Sequence, residues 1–280
     1  MKKSSFLITA LVIGLGTSAQ KNNLTPEMLW KLGRVSGMGI SKDGNTYICT
    51  VSTPSVEENK SSRKSFAIDL SSGNATVIQN TDSLLSDKNI SPDGKYIIYD
   101  KEVALLKTKS TDAYPALTKS NAYIITDLNY RHWDKWSDGK FNHVFIAPVA
   151  NKQEEKDLMP DEKFDAPQKP FGGDEDYIWS PDSKNVIYVT KKKFGKEYAL
   201  STNTDLYQYN VATGTTTNLT AGMNGYDINP AYNTAGTLAW LSMKRDGFEA
   251  DKQDIIIMKN GFKTNYFHYF QNKIKSHPCS

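Results

Sequence analysis

The side chains most able to do chemistry gather in two stretches. Arg131-His132-Trp133-Asp134-Lys135-Trp136-Ser137-Asp138-Gly139 brings together a guanidinium, an imidazole, two carboxylates and two indoles. His132 and the later His143 invite a metal site with Asp134 or Asp138. Their spacing matches no compact zinc pattern, so both histidines read as structural. Trp133 and Trp136 read first as core anchors, the commonest use of a large aromatic ring. In the second stretch Asp246, Glu249, Asp251 and Asp254 surround Gly247. A calcium loop needs ligands at alternating positions with glycine at the sixth, and this run does not provide them. It reads as a solvated hairpin tip held by Asp-Gly turn chemistry. Gly172-Gly173 is followed by Asp174-Glu175-Asp176, acids that disfavour a phosphate. No metal and no cofactor is expected.

The elements that position these residues announce themselves by repetition. Ser91-Pro92-Asp93-Gly94-Lys95-Tyr96-Ile97-Ile98-Tyr99 returns as Ser180-Pro181-Asp182-Ser183-Lys184-Asn185-Val186-Ile187-Tyr188. A weaker copy begins at Ser41-Lys42-Asp43-Gly44, and a worn one at Asn229-Pro230-Ala231-Tyr232 running into Thr237-Leu238-Ala239-Trp240. Proline presets φ at the first corner, aspartate tolerates the next, and glycine accepts a positive φ where the chain reverses. The β-branched and aromatic residues that follow suit a half-buried strand. Each copy is a tight turn feeding an inner strand, and a repeated unit of this kind signals an array.

Counting from Ser41, Ser91, Ser180 and Asn229 gives spacings of 50, 89 and 49 residues. Two of these approach the roughly 40–50 residues of a propeller blade. The long interval is either one blade with an enlarged loop or two blades whose middle phrase has decayed. Residues 65–70, 71–74 and 75–78 read as strand, turn and strand, and the grammar recurs at 205–211, 212–214 and 215–220. Residues 150–175 are charged and carry no periodicity, so they read as a connecting loop. Thr25, Pro26 and Gly33 bracket a short capped helix, and no helical period follows it. The expected fold is all-β: an incomplete β-propeller of about four to five four-stranded blades, the count following from the repeat period.

Composition narrows the rest. With 280 residues, 38% of them hydrophobic, the chain can bury a core, and a net charge of +3 with interspersed signs gives no basic stripe for nucleic acid. Cys49 and Cys279 stand far apart with no C-x-x-C spacing, so neither a disulfide framework nor a metal knuckle is indicated. Met1-Lys2-Lys3, an apolar run from Phe6 to Leu15, and Thr17-Ser18-Ala19 form a signal peptide at 1–19, implying a periplasmic or secreted protein. No later stretch reaches the roughly 20 apolar residues of a membrane-spanning helix. The propeller is assigned to 20–262 and an off-pattern tail to 263–280, where the blade grammar stops near Lys263-Thr264-Asn265, so that either four blades close alone or the sequence is a fragment, truncated or frameshifted there.

The stretch from Asn129 to Phe145, the stretch Leu238–Lys252 containing Arg245-Asp246-Gly247-Phe248-Glu249-Ala250-Asp251, and the Ser-Pro-Asp-Gly phrases together carry a resemblance. Over roughly 24–261 the chain resembles the N-terminal propeller of secreted bacterial serine peptidases of the prolyl oligopeptidase family, of acylaminoacyl-peptidase and dipeptidyl-peptidase V type. The phrase alone is less specific, since Tol-associated periplasmic propellers share it. The resemblance implies that the propeller caps an α/β-hydrolase domain with its nucleophile on a G-x-S-x-G elbow. Gly33-Arg34-Val35-Ser36-Gly37 has the letters without the spacing, so no catalytic residue is assigned here. In such peptidases propeller loops help select the amino-terminal side of the substrate. Asp134 would then pair with a peptide ammonium and Trp136 would pack beside it. The expected partners are a peptide substrate and a catalytic α/β-hydrolase domain. The alternative is a stand-alone periplasmic propeller that binds a protein partner.

Overall fold

The repeated phrase folds into the same hydrogen-bonded loop wherever it is intact. The computed structural model describes residues 24–128 and 130–266. Ser91 N–H donates to Tyr96 O (2.8 Å), and Ser91 O accepts from Gly94 N–H (2.8 Å). The Ser91 hydroxyl accepts from Tyr96 N–H (2.9 Å) and donates to Asp93 Oδ1 (2.7 Å), which also accepts from Lys95 N–H (3.2 Å). Ser180 and Asp182 repeat this network with Asn185 and Lys184, and Ser41 and Asp43 repeat it with Thr46 and Asn45. Donation from the serine hydroxyl holds Asp43, Asp93 and Asp182 below the ordinary carboxylate range. The chain reverses at φ 77° in Gly44, 74° in Gly94 and 61° in Ser183.

The chain divides into two compact units between Asp87 and Lys88. In the first, the Thr25 hydroxyl accepts from Met28 N–H (3.2 Å) and caps α1 (Pro26–Lys31) as expected. Strands β1 (Arg34–Ile40), β2 (Thr46–Ser55), β3 (Lys60–Asp69) and β4 (Ala75–Ile78) then form one antiparallel sheet in chain order. The β3–β4 turn closes on Asp69 Oδ1, which accepts from the amides and hydroxyls of Ser71 and Ser72.

Among the described residues, the second unit holds two four-stranded antiparallel sheets, one three-stranded sheet and a two-stranded ribbon. β5 (Tyr96–Ala104) is followed by an insertion carrying α2 (Ser110–Ala113) and the two-residue strands β6 (Arg131–His132) and β7 (Lys135–Trp136). β8 (Lys140–Pro148) pairs with β5 from Tyr96↔Pro148 to Ala104↔Lys140, so the 89-residue interval is one blade with an enlarged loop. Ile90 bridges Ile97 where a first strand would lie. β9 (Lys156–Asp157) adds to β8, and Leu158, Met159 and Ala166 are buried beyond it. Residues 150–175 are therefore more than a plain connection, since they lend these three side chains to the core. Isolated apolar anchors leave no period to read.

β10 (Tyr177–Trp179), β11 (Asn185–Thr190), β12 (Asp205–Asn210) and β13 (Thr216–Asn218) form the next sheet, with the short α3 (Lys196–Leu200) between β11 and β12. β14 (Asp227–Tyr232), β15 (Leu238–Ser242), β16 (Asp254–Lys259) and β17 (Phe262–Asn265) form the last. Two expectations are corrected there. Asn229–Tyr232 is not the worn turn but part of β14, which bulges between Ile228 and Ala231 with Asn229 at φ 54°. The turn lies at 233–237, where Gly236 N–H donates to Asn233 O (3.0 Å) and Thr237 N–H to Asn233 Oδ1 (2.9 Å). An asparagine side chain thus takes the role that serine plays in the intact copies. The second correction concerns the boundary drawn at 262/263. Asn260 (φ 51°) and Gly261 (φ 80°) form a two-residue hairpin turn, and Lys263–Asn265 pair with β16 instead of starting a tail.

The fold is all-β and consists of β-propeller blades, four among the described residues. β11 shows why its sequence is a continuous apolar run. Val186 and Tyr188 join a core with Ile98, Val144, Ile146, Tyr177 and Trp179, while Ile187 and Val189 on the opposite face join Leu206, Leu238 and Trp240. A strand buried on both faces cannot alternate with polar residues. The expected signal peptide at 1–19, Cys279 and the tail beyond 266 lie outside the described residues.

Candidate functional site

In an antiparallel meander the loops joining second to third strands all lie at one end of the blades, opposite the Ser-x-Asp turns. In the second unit these are residues 105–139, 191–204 and 243–253. Both stretches singled out for chemistry fall there. The base of the first loop is pinched at Gly139, whose carbonyl accepts from Leu105 N–H and Leu106 N–H (both 3.0 Å). Gly139 sits at φ 80°, and a Cβ on it would lie 2.2 Å from Leu106 O, so only glycine fits.

Above that pinch, β6 and β7 pair as Arg131↔Trp136 and His132↔Lys135, leaving Trp133 and Asp134 as the turn. Trp133 holds a left-handed φ of 50°, and Arg131 Nε–H donates to its carbonyl. The rings support one another at the surface. Tyr130 stacks on Trp136 at 6.3 Å, the Arg131 guanidinium lies 5.7 Å from the Trp136 ring, and Trp133 meets Phe171 edge-on at 5.3 Å. Trp133 and Trp136 are 64% and 53% exposed, so the expectation that they anchor the core is overturned. Two-residue strands are too short to bury a face. The Asp134 carboxylate is exposed and has no hydrogen-bond or ion-pair partner among the described residues. The ribbon thus presents an unpaired anion two residues from an exposed indole. That arrangement can accept a cation and stack against its apolar flank.

The acidic run is more than a solvated tip. Asp246 accepts from the Ser201 hydroxyl (2.8 Å), Thr202 N–H (2.7 Å) and Asn203 N–H (3.2 Å), and the Thr202 hydroxyl oxygen accepts from Gly247 N–H (2.9 Å). Partial burial disfavours its charge, but the hydroxyl and amide donors outweigh that and lower its pKa. Arg245 makes a bidentate pair with Asp251 (3.1 and 2.8 Å) and covers the Phe248 ring at 4.2 Å. Lys191 secures the loop from beneath, donating to Tyr198 O (3.2 Å) and Ser201 O (2.8 Å) with Nζ 4.0 Å from the Tyr198 ring. Burial lowers its pKa. Sequence reasoning passed over Lys191, which lies at the end of a strand run with no motif around it.

His143 is fully buried and structural, as expected, with Nδ1 2.8 Å from Asp157 Oδ2 and Nε2 2.7 Å from Glu162 O. No group of side chains among the described residues is arranged to hold a metal ion. No helix among them is long and apolar enough to cross a membrane.

No protein-family model matches the chain. The sequence is 35% identical to dipeptidyl-peptidase 5 of Porphyromonas gingivalis over 309 aligned residues, covering 91% of this chain and 45% of that protein. It is 33% identical to dipeptidyl-peptidase 5 of Porphyromonas endodontalis, covering 84% of this chain and 40% of the relative. The chain is a relative of the dipeptidyl-peptidase 5 proteins. It spans less than half the length of either. Among solved structures, TolB from Acinetobacter baumannii matches with a TM-score of 0.37 at 13% identity, over 83% of this chain and 43% of that one. The β-propeller domain of the Trilobed protease from Pyrococcus furiosus matches with a TM-score of 0.35 at 12% identity, over 84% and 57%. The aromatic ribbon and the Asp246 lock are thus features of a dipeptidyl-peptidase 5 relative, and both stretches that carry the resemblance join a core strand, β8 or β15, to this loop end.

Proposed function

We propose that this chain is the propeller portion of an exported serine peptidase of dipeptidyl-peptidase type, and that its loop end helps select substrates for an α/β-hydrolase domain. Export rests on the basic start, apolar run and small residues of 1–19. The peptidase reading rests on the similarity to dipeptidyl-peptidase 5 proteins across most of the chain. The observation that carries the selecting role is the unpaired, exposed carboxylate of Asp134, two residues from the exposed Trp136 on a ribbon braced by ring contacts. A free peptide α-amino group would place its ammonium on Asp134, with its first side chain against the Trp136 indole.

The test is a titration of the purified chain, followed by tryptophan fluorescence. A short peptide with a free amino terminus should perturb the signal, its N-acetylated form should not, and Asp134→Asn should abolish the difference. Equal responses to both peptides would remove the selecting role. The exposed Trp133–Phe171 pair, which ammonium recognition does not need, favours a second reading, a propeller that binds a protein partner. Binding that depends on Trp133 and not on Asp134 would support it. A peptidase assay on the chain alone should stay at background in either case.

A further inference from the structure

The buried His143 is bonded in a way that only one of its protonation states satisfies. Its Nε2 faces a backbone carbonyl, Glu162 O, at 2.7 Å, and a carbonyl can only accept. Its Nδ1 faces Asp157 Oδ2 at 2.8 Å, while the other oxygen of that carboxylate accepts from Met159 N–H at 2.8 Å. Two acceptors on opposite sides of the ring require an N–H at each nitrogen, which is the imidazolium. A neutral ring has one N–H and would turn a lone pair toward one of the two oxygens.

The two acceptors lie on a strap, residues 157–166, that crosses the side of β8. Leu158 N–H donates to Val144 O (2.9 Å), Ala166 N–H to Asn142 O (2.8 Å), and Asn142 N–H to Asp165 Oδ1 (2.8 Å). His143 stands between these attachments and grips the strap at both Asp157 and Glu162. Past the strap the chain runs on to Lys169, whose carbonyl accepts from the Tyr198 hydroxyl (3.0 Å), and to Phe171, which meets Trp133. The strap is thus continuous with the support of the aromatic ribbon.

We propose that His143 is a proton-operated clasp: its imidazolium fastens the 157–166 strap to β8, and loss of the proton loosens the strap and the Phe171 support of Trp133. The charged groups around it come from every neighbouring element. Lys101 stands opposite His143 on β5 and pairs with Glu155, and Asp157 faces it from β9. On the strap Glu162 is paired with Lys192 (2.5 Å) and Asp165 with Lys169 (3.1 Å), and the buried Tyr188 lies on β11. Burial opposes the charged ring, but the bonds to Asp157 and Glu162 O outweigh it and raise the pKa above 6.5. A raised folded-state pKa makes the stabilisation complete below about pH 6.5, the ordinary histidine value, and lost as pH rises through the folded value. The clasp is closed in acid and opens on the alkaline side.

The experiment is a pH series on the intact chain with nitrogen-15-labelled histidine, read by NMR and by amide hydrogen exchange. The His143 ring is assigned by its absence in His143→Gln, or by its displaced midpoint in Asp157→Asn if the glutamine variant does not fold. Both ring nitrogens should be protonated at neutral pH. Protection at Leu158 and Ala166, corrected for the intrinsic pH effect, should fall about tenfold with the ring's own midpoint, the equivalent of one lost hydrogen bond. Trp133 fluorescence should move with the same midpoint, and Asp157→Asn should lower it. A bare ring nitrogen at neutral pH would overturn the proposal. So would strap protection that stays flat while the ring titrates, or a midpoint that Asp157→Asn leaves in place.

Discussion

The two ends of the blades in the second unit are built by opposite rules. At the turn end, the Ser91 and Asp93 side chains close a whole reversal with partners no more than five residues away, and a single amide, Asp93 N–H, reaches out to the Ser183 hydroxyl of the next copy (3.0 Å). At the loop end the bonds are distant: Asp246 closes on a hydroxyl 45 residues earlier, and Thr190 reaches Asp165 across 25. A turn closed by its own side chains can be copied along a chain with little regard to its neighbours. A loop held by other loops cannot be copied, so each one is different, and the differences accumulate where a ligand would meet them. The repeated end is scaffold, and the unrepeated end carries the candidate site.

The largest expected effect is on the unrepeated end. Gly139→Ala places a Cβ 2.2 Å from Leu106 O at a φ that L side chains rarely adopt. The combined clash and strain should cost about 3 kcal/mol or more in urea unfolding. Residues 105–139 should become open to proteolysis before the blades unfold. Cleavage no faster than wild type would show that the insertion does not depend on its pinched base.

Acids at the two kinds of site should answer pH in opposite senses. Burial pushes Asp227 up to about 6, although its Oδ1 accepts from Trp240 Nε1–H (2.8 Å), and it pushes Asp176 up to about 6 as well. A raised folded-state pKa means stability that is full below about 3.8, the ordinary aspartate value, and lost as pH rises through about 6. Asp93 and Asp182 are lowered instead, so their contribution is present above that ordinary value and lost in acid. Asp227→Asn should therefore gain on wild type by on the order of 2 kcal/mol between about pH 4 and pH 7. An Asp227→Asn difference that does not change with pH would mean that this carboxyl is not destabilised by its burial.

Breaking single locks should cost less. Asp246→Ala removes the acceptor of two amides and one hydroxyl, and about 2 kcal/mol should be lost if the freed donors stay out of water. Ser180→Ala removes one hydroxyl that both donates and accepts, and about 1 kcal/mol is expected. The Asp246 variant should loosen residues 196–204 in hydrogen exchange, whereas the Ser180 variant should leave that loop untouched. If both variants loosen it equally, the contrast between local and distant locking fails.

The same contrast explains what could be read from residues alone. The Ser-Pro-Asp-Gly turns, the strands they feed and the Asn74 and Gly214 hairpins were legible because their causes lie within a few residues. The turn at Asn233 was misplaced because asparagine stands for the serine and Ala235 for the aspartate, while Asn229-Pro230 mimicked the phrase inside a bulged strand. Asn260-Gly261 carried a plain hairpin signal, obscured by the aromatic-rich residues that follow it. The role of Asp246 was out of reach, since its partners at 201–203 share no pattern with it. Asp134 and Trp136 were reached through resemblance, and the exposure of both tryptophans ran against their residue type.

The smallest expected effect bears on the candidate site itself. Trp136 and Asp134 are exposed on a two-stranded ribbon whose ring contacts, among the described residues, lie at the surface, so Trp136→Ala and Asp134→Ala should each change stability by less than about 0.5 kcal/mol. That near-silence is informative, because a tryptophan truncated in a core usually costs about 3–5 kcal/mol. An exposed indole that returns little stability is available to whatever it meets, and the free-amine titration asks that question directly. A loss of several kcal/mol in Trp136→Ala would return the ring to the core and take the Asp134–Trp136 site with it.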